Sequence, residues 1–277
     1  MNTTQEDMHN PLQAKSRARE VVMMHWWVTR MKEDTTRIHC AQLATPTSLN
    51  SLIDAFTALL RSDHTPSVGI ALDYYQSYES MFRHGIENPF EQFDDEVLKF
   101  ARQLLQQPPV IASEQIEAKE DGANHASALA GMMNLAEIDD ADLIAQALLM
   151  ATTSEVKRNG ALAAAGVLED ADAPPLALIY SLESLIFDEQ NSYHARSAAI
   201  SALSESDSEA AYEVILRATH LPEIELQSQA AIALTERDFP AYQAEIERVI
   251  DSWPLEVEYP ATKLLAMLRE KEEDGSA

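Results

Sequence analysis

The chain has 277 residues, a formal net charge of −26 and a hydrophobic content of 46%. That apolar fraction is ample for a core and excludes a wholly disordered chain. An acidic excess this large opposes nonspecific binding to nucleic acid or anionic lipid, and no stretch approaches the roughly 18 apolar residues of a membrane span.

Residues 1–10 are polar and are expected to be loose. From Pro11 to about Glu33 the spacing predicts a helix, with Val21, Met24, Trp27, Val28 and Met31 on one face and Trp26 beside it. Those tryptophans fit a buried core or end cap, or else an interface. Pro46-Thr47-Ser48 opens a helix running to about Arg61, and Pro66 opens another from Ser67 to His84, closed by Gly85. Within it, Asp73-Tyr74-Tyr75-Gln76-Ser77-Tyr78-Glu79 is the most interface-like local stretch. Tyr74 and Tyr78 are i,i+4 neighbours, so packing between them is the competing reading. Asn88-Pro89-Phe90-Glu91 reads as a capped start of a helix to Gln107, stopped by Pro108-Pro109. Residues 114–120 read as a short exposed turn of helix.

From Ala123 the pattern becomes regular, with helices expected near 123–136, 140–151, 154–168, 174–188, 192–204, 207–219, 223–236, 241–252 and 257–271. Asp139-Asp140, Thr153-Ser154 and Ser206 with Glu209 supply their caps. One motif recurs: Val156-Lys157-Arg158-Asn159-Gly160-Ala161-Leu162-Ala163-Ala164, then Ala195-Arg196-Ser197-Ala198-Ala199-Ile200-Ser201-Ala202-Leu203, then Leu226-Gln227-Ser228-Gln229-Ala230-Ala231-Ile232-Ala233-Leu234, with a weaker copy from Val257. Copies starting at 156, 195, 226 and 257 imply one helix-pair unit repeated along the chain. Few glycines, 6% aromatics and abundant Ala, Leu and Glu agree with an all-α protein.

This layout resembles the HEAT-repeat (armadillo-type) superfamily, in its divergent bacterial form. The resemblance rests on Val156-Lys157…Ala161, Ala195-Arg196…Ala202-Leu203, Leu226-Gln227…Ala233-Leu234 and Val257…Ala261…Leu264. It implies a right-handed α-solenoid of antiparallel helix pairs over 123–271. A less regular helical part precedes it over 11–122, either divergent repeats or a cap, and a frayed tail follows at 272–277; the resemblance implies one continuous solenoid. The resemblance also assigns the motif helices to the concave side. The family's usual Pro in the first helix and Asp in the tight turn are mostly missing.

No catalytic, cofactor or metal-binding motif is present: no Gly-rich phosphate loop, Cys-x-x-Cys, His-Glu-x-x-His or Gly-x-Ser-x-Gly. His25, His39 and Cys40 match no standard metal spacing. The single cysteine, Cys40, excludes an internal disulfide, and with no signal peptide a cytoplasmic setting is expected. The acid is uneven: residues 134–256 carry six lysines and arginines against 23 aspartates and glutamates, whereas residues 1–40 are nearly neutral. This charge counts against the family's DNA glycosylases and favours a basic protein partner. The expectation is a non-enzymatic binding module, in its sharper form an inhibitor or immunity protein masking a basic toxin. A general scaffold and a lyase-like subunit holding a small molecule are the alternatives. Candidate partner-binding residues are Tyr75, Tyr78, Glu155, Lys157, Arg158, Arg196, Gln227 and Glu258. The second motif positions among them would align as a ladder, or Lys157 and Arg196 would simply neutralise neighbouring carboxylates.

Overall fold

The computed structural model describes residues 33–82, 88–114, 117–171 and 173–275, with the side chains of 78–82 and 272–275 left aside. The loose N-terminus, nearly all of the tryptophan helix and the Gly85 stop lie outside the described residues. Every regular element among the described residues is helical. They are α1 (Asp34–Ala44), α2 (Leu49–Leu60), α3 (Thr65–Phe82), α4 (Asp94–Leu105), α5 (Ala123–Met132), α6 (Ala141–Met150), α7 (Ser154–Glu169), α8 (Leu176–Phe187), α9 (Tyr193–Ser204), α10 (Glu209–Ala218), α11 (Ile224–Asp251) and α12 (Ala261–Gly275). Single 3₁₀ turns precede α4 (Glu91–Phe93) and α6 (Ile138–Asp140).

The chain forms two compact units. One comprises residues up to Ala136 together with Ala151–Asn159; the other comprises Glu137–Met150 and Gly160 onward. In the first, α2 packs on α1 and α3, and α5 packs on both α3 and α4. The core is aromatic. The Phe56 ring centroid lies 4.5 Å from that of Phe90, and Tyr74 meets Phe90 edge-on at 5.9 Å. All ten residues of α5 are buried. Its small side chains permit this, and at Gly131 an added Cβ would lie 2.9 Å from Leu72 Cδ2 of α3. Gly122, which starts α5, has φ +72°, a left-handed conformation that a side chain would strain. The segment before α5 is tied down by two buried side chains. Asn124 accepts from Val110 N and donates to Pro108 O, and His125 Nε2 lies 2.8 Å from Gln107 O.

In the second unit α8 packs on α6 and α10, while α9 packs on α8, α10 and α11, and α12 packs on α11. The caps follow simple polar chemistry. Ser192 Oγ accepts from Ala195 N, and Ser208 Oγ accepts from Ala211 N. Ser208 therefore caps α10, and Ser206, expected in that role, donates to Ser208 instead. Asp140 Oδ2 accepts from Glu137 N, but the buried Thr153 hydroxyl makes no hydrogen bond. The helices expected at 223–236 and 241–252 run on as α11 with a break at Asp238, where φ is −156° and ψ is 82°. Asp238 Oδ1 accepts from Ala241 N, so it caps the second stretch, and Pro240 follows where an N–H is dispensable.

Three points before Ala123 depart from the sequence pattern. A helix occupies Asp34–Ala44, which the pattern did not announce. The start at Asn88 is an Asx turn, with Asn88 Oδ1 accepting from Phe90 N, and α4 begins only at Asp94. The described residues of 114–120 form turns and bends and no helix.

Candidate functional site

In the second unit a cleft of about 320 Å³ is lined from α9, the first stretch of α11 and the start of α12. On α9 the lining residues Tyr193, Ser197, Ser201 and Ser204 recur every three or four positions, so they share one face. Gln229 and Glu236 on α11 and Lys263 on α12 line it by the same rule. Ala233 and Ile232 are buried at its edge, and small motif residues such as Ala199 and Ala202 lie inside.

The floor of the cleft is a closed polar network. Ser197 Oγ donates to Gln229 Oε1 at 2.6 Å, and Gln229 Nε2 donates to Ser197 O at 3.0 Å and to Ser201 Oγ at 2.6 Å. Both ends of the Gln229 amide are thereby fixed by α9, which locks its orientation. The rim is different. Tyr193 is 41% and Tyr259 74% exposed. Glu205, Glu236 and Lys263 are exposed as well, with Lys263 Nζ 3.2 Å from Glu236 Oε1. The cleft combines a rigid, saturated floor with a rim of aromatic faces and carboxylates. Such a rim can receive a polar or cationic group.

The residues expected from the motif fall elsewhere. Arg196 is 3% exposed; its Nε donates to Ile186 O at 2.7 Å and its Nη1 to Glu223 Oε1 at 2.6 Å. That contact holds the Glu223 carboxyl below its ordinary range. Gln227 repeats the arrangement one motif later. Its Nε2 donates to Leu221 O, and its Oε1 accepts from Trp253 Nε1 at 2.8 Å. Position two thus closes the turn after the preceding helix, and the exposed ladder expected there gives way at these two residues to internal clamps. Glu258 is exposed beside Tyr259 on the rim. Tyr75, expected at an interface, is 2% exposed, its hydroxyl donating to Asp94 Oδ1 at 2.6 Å, so it belongs to the core. The Tyr78 side chain lies outside the described residues. In the first unit Glu155 and Arg158 are exposed and Lys157 is half-buried. Ser197 and Gln229, which sequence reasoning missed, stand one and two places after Arg196 and Gln227. Each residue turns a helix by about 100°, which moves a side chain from the turn to the cleft.

Two further polar clusters lie in the first unit. Ser67 Oγ stands 2.9 Å from His64 Nδ1, and His64 Nε2 stands 3.2 Å from Glu117 Oε2, a nucleophile–base–acid order. Yet Ser67 is 0% exposed, and its hydroxyl also lies 2.6 Å from Thr36 Oγ1. The chain of hydrogen bonds ties α1, α3 and the segment before α5 together and offers no nucleophile to solvent. The second cluster is a small cavity of about 20 Å³ lined by Asp73, Lys119, Glu120, Ser127 and Glu155. There a hydrogen bond with Glu155, together with burial, pushes the Glu120 carboxyl up to about 7. Lys119 Nζ lies 3.6 Å from Glu155 Oε2.

Among the described residues no group of three or more His, Cys, Asp or Glu is placed to hold a metal ion, and no helix is long and apolar enough to cross a membrane. Comparison with protein-family models, curated proteins and solved structures finds no match.

Proposed function

We propose that this chain is a non-enzymatic helical-repeat protein whose cleft in the second unit binds a basic segment of another protein. The observation that carries the reading is the cleft itself. Successive motif helices contribute to one continuous groove with a rigid polar floor and an acidic, aromatic rim. Motif helices lining a shared groove are what an α-solenoid of the HEAT type uses for partners, and the charge of −26 selects and steers basic ones. The sharper form is an inhibitor or immunity protein that masks a basic toxin or a nucleic-acid-acting protein in the cytoplasm.

The test is site-specific photo-crosslinking in native lysate. A photoreactive residue at Ser201, in the cleft, should trap a discrete basic protein, and 0.5 M salt should weaken the capture. The same probe at Leu176, exposed on α8, is the control. Equal trapping at both positions, or capture that ignores salt, would remove the cleft from consideration.

A further inference from the structure

Resting on the cleft reading, we infer that the cleft is built to seat an arginine side chain of the partner, and that Lys263 occupies the arginine's carboxylate until the partner arrives. The argument begins with Glu236. Its pair with Lys263 is long at 3.2 Å, and both side chains are about half exposed, at 55% and 47%. An exposed pair of this kind contributes little, so it yields to a better cation. A guanidinium is that cation, because it makes two parallel bonds to one carboxylate where an ammonium acts as a point charge. The unit already prefers this chemistry internally, since Arg196 engages both oxygens of Glu223.

The aromatic rim points the same way. Arg237 lies 3.7 Å from the Tyr212 ring centroid and Arg217 4.7 Å from that of Phe187. Tyr193 and Tyr259, by contrast, carry no cation over their rings among the described residues, though both are exposed at the cleft. A planar guanidinium stacks on such faces. Glu205 supplies a second carboxylate on the lining. With Lys263 engaged, the three charged lining residues sum to one negative charge; once Lys263 swings away, two carboxylates face the guest. The floor adds no selectivity of its own, since the Gln229 amide is already spent on Ser197 and Ser201. Selection therefore resides in the rim, and Lys263 tunes it by competing with weaker guests.

The experiment is an NMR titration of the ¹⁵N-labelled full chain with three uncharged-end peptides, acetyl-Gly-Ser-X-Ser-Gly-amide, where X is arginine, lysine or citrulline. The arginine peptide should shift amides within 193–205, 229–236 and 259–263. Citrulline, which keeps the shape and loses the charge, should bind at least tenfold more weakly, and lysine should fall between them. Lys263→Met should tighten the arginine peptide roughly threefold, the release of one surface pair, and Glu236→Gln should weaken it about tenfold. All these side chains are exposed, and an unchanged thermal melt confirms that each variant folds. Equal binding of arginine and citrulline peptides overturns the inference, as does a Lys263→Met variant that binds no tighter. Crosslinking from Ser201 reads the cleft as a partner surface independently, so the arginine site can fail while that reading stands.

Discussion

Arg196 illustrates how a charged side chain is carried inside this protein. Its guanidinium satisfies the Ile186 carbonyl at the end of α8 and the half-exposed Glu223 carboxylate, so two groups lose a partner if it is removed. Arg196→Met should cost about 2 kcal/mol in urea denaturation, and Arg196→Lys should recover less than half of it because an ammonium cannot span both acceptors. A loss under 0.5 kcal/mol would show that the clamp is dispensable. Glu120 makes a pH-dependent contribution of the opposite kind to that of an ordinary ion pair. Its folded carboxyl is pushed up to about 7, above the ordinary 4.5, first by the hydrogen bond with Glu155 and then by burial. The folded chain therefore binds more protons between those values, and the stabilisation is complete below about 4.5 and lost as pH rises through about 7. Lys119 and Asp121 face the same group, with opposing effects. The cluster is largely solvated, so about 1 kcal/mol is expected between pH 5 and 8, and Glu120→Gln should flatten that slope. Glu245 works at the acid end. Arg248 and Thr219 hold it down to about 2, so its contribution is lost as pH falls from 4.5 toward 2.

At the scale of elements, close approach is the recurring device. Gly131 of α5 sits against Leu72 of α3 with no room for a methyl group, so Gly131→Ala should destabilise by about 1–3 kcal/mol despite its better helix propensity. A thermal melt checks the sign, and a gain in stability would mean that Leu72 moves aside freely. The helices from α6 to α10 were legible in the sequence to within a few residues, because capping serines, prolines and apolar spacing coincide there. Helix α1 was not. Its buried positions are Thr36, Cys40 and Leu43, while Ile38 is 57% exposed, so polarity and burial disagree along it. The cleft was half legible. The repeat located the helices that line it, but which sector of each helix faces the open side depends on packing. Arg196 and Ser197 are adjacent in sequence and differ completely in destination. The triad-like set His64, Ser67 and Glu117 was invisible for another reason, since Glu117 lies 53 residues from His64 and meets it only through the fold.

At the scale of the molecule, a charge of −26 means that like charges repel across the surface in the folded state. Raising NaCl from 20 to 500 mM should therefore raise the melting temperature by several degrees, because screening relieves repulsion at a Debye length of about 4–20 Å. A melt that falls over the same range would mean that favourable pairs such as Arg61–Glu96 and Arg217–Glu183 outweigh the repulsion. The division into two units has a consequence for how the chain can be cut. The first unit is not contiguous, since it takes back Ala151–Asn159 after the chain has contributed Glu137–Met150 to the second. Val156 lies against Gly122, and Asn159 donates to the Ala126 carbonyl at 3.0 Å. No single cleavage point yields both units intact. A nascent chain halted after Ala136 has all of α5 but not the residues that complete its surroundings, so that helix waits for sequence made later before it can settle.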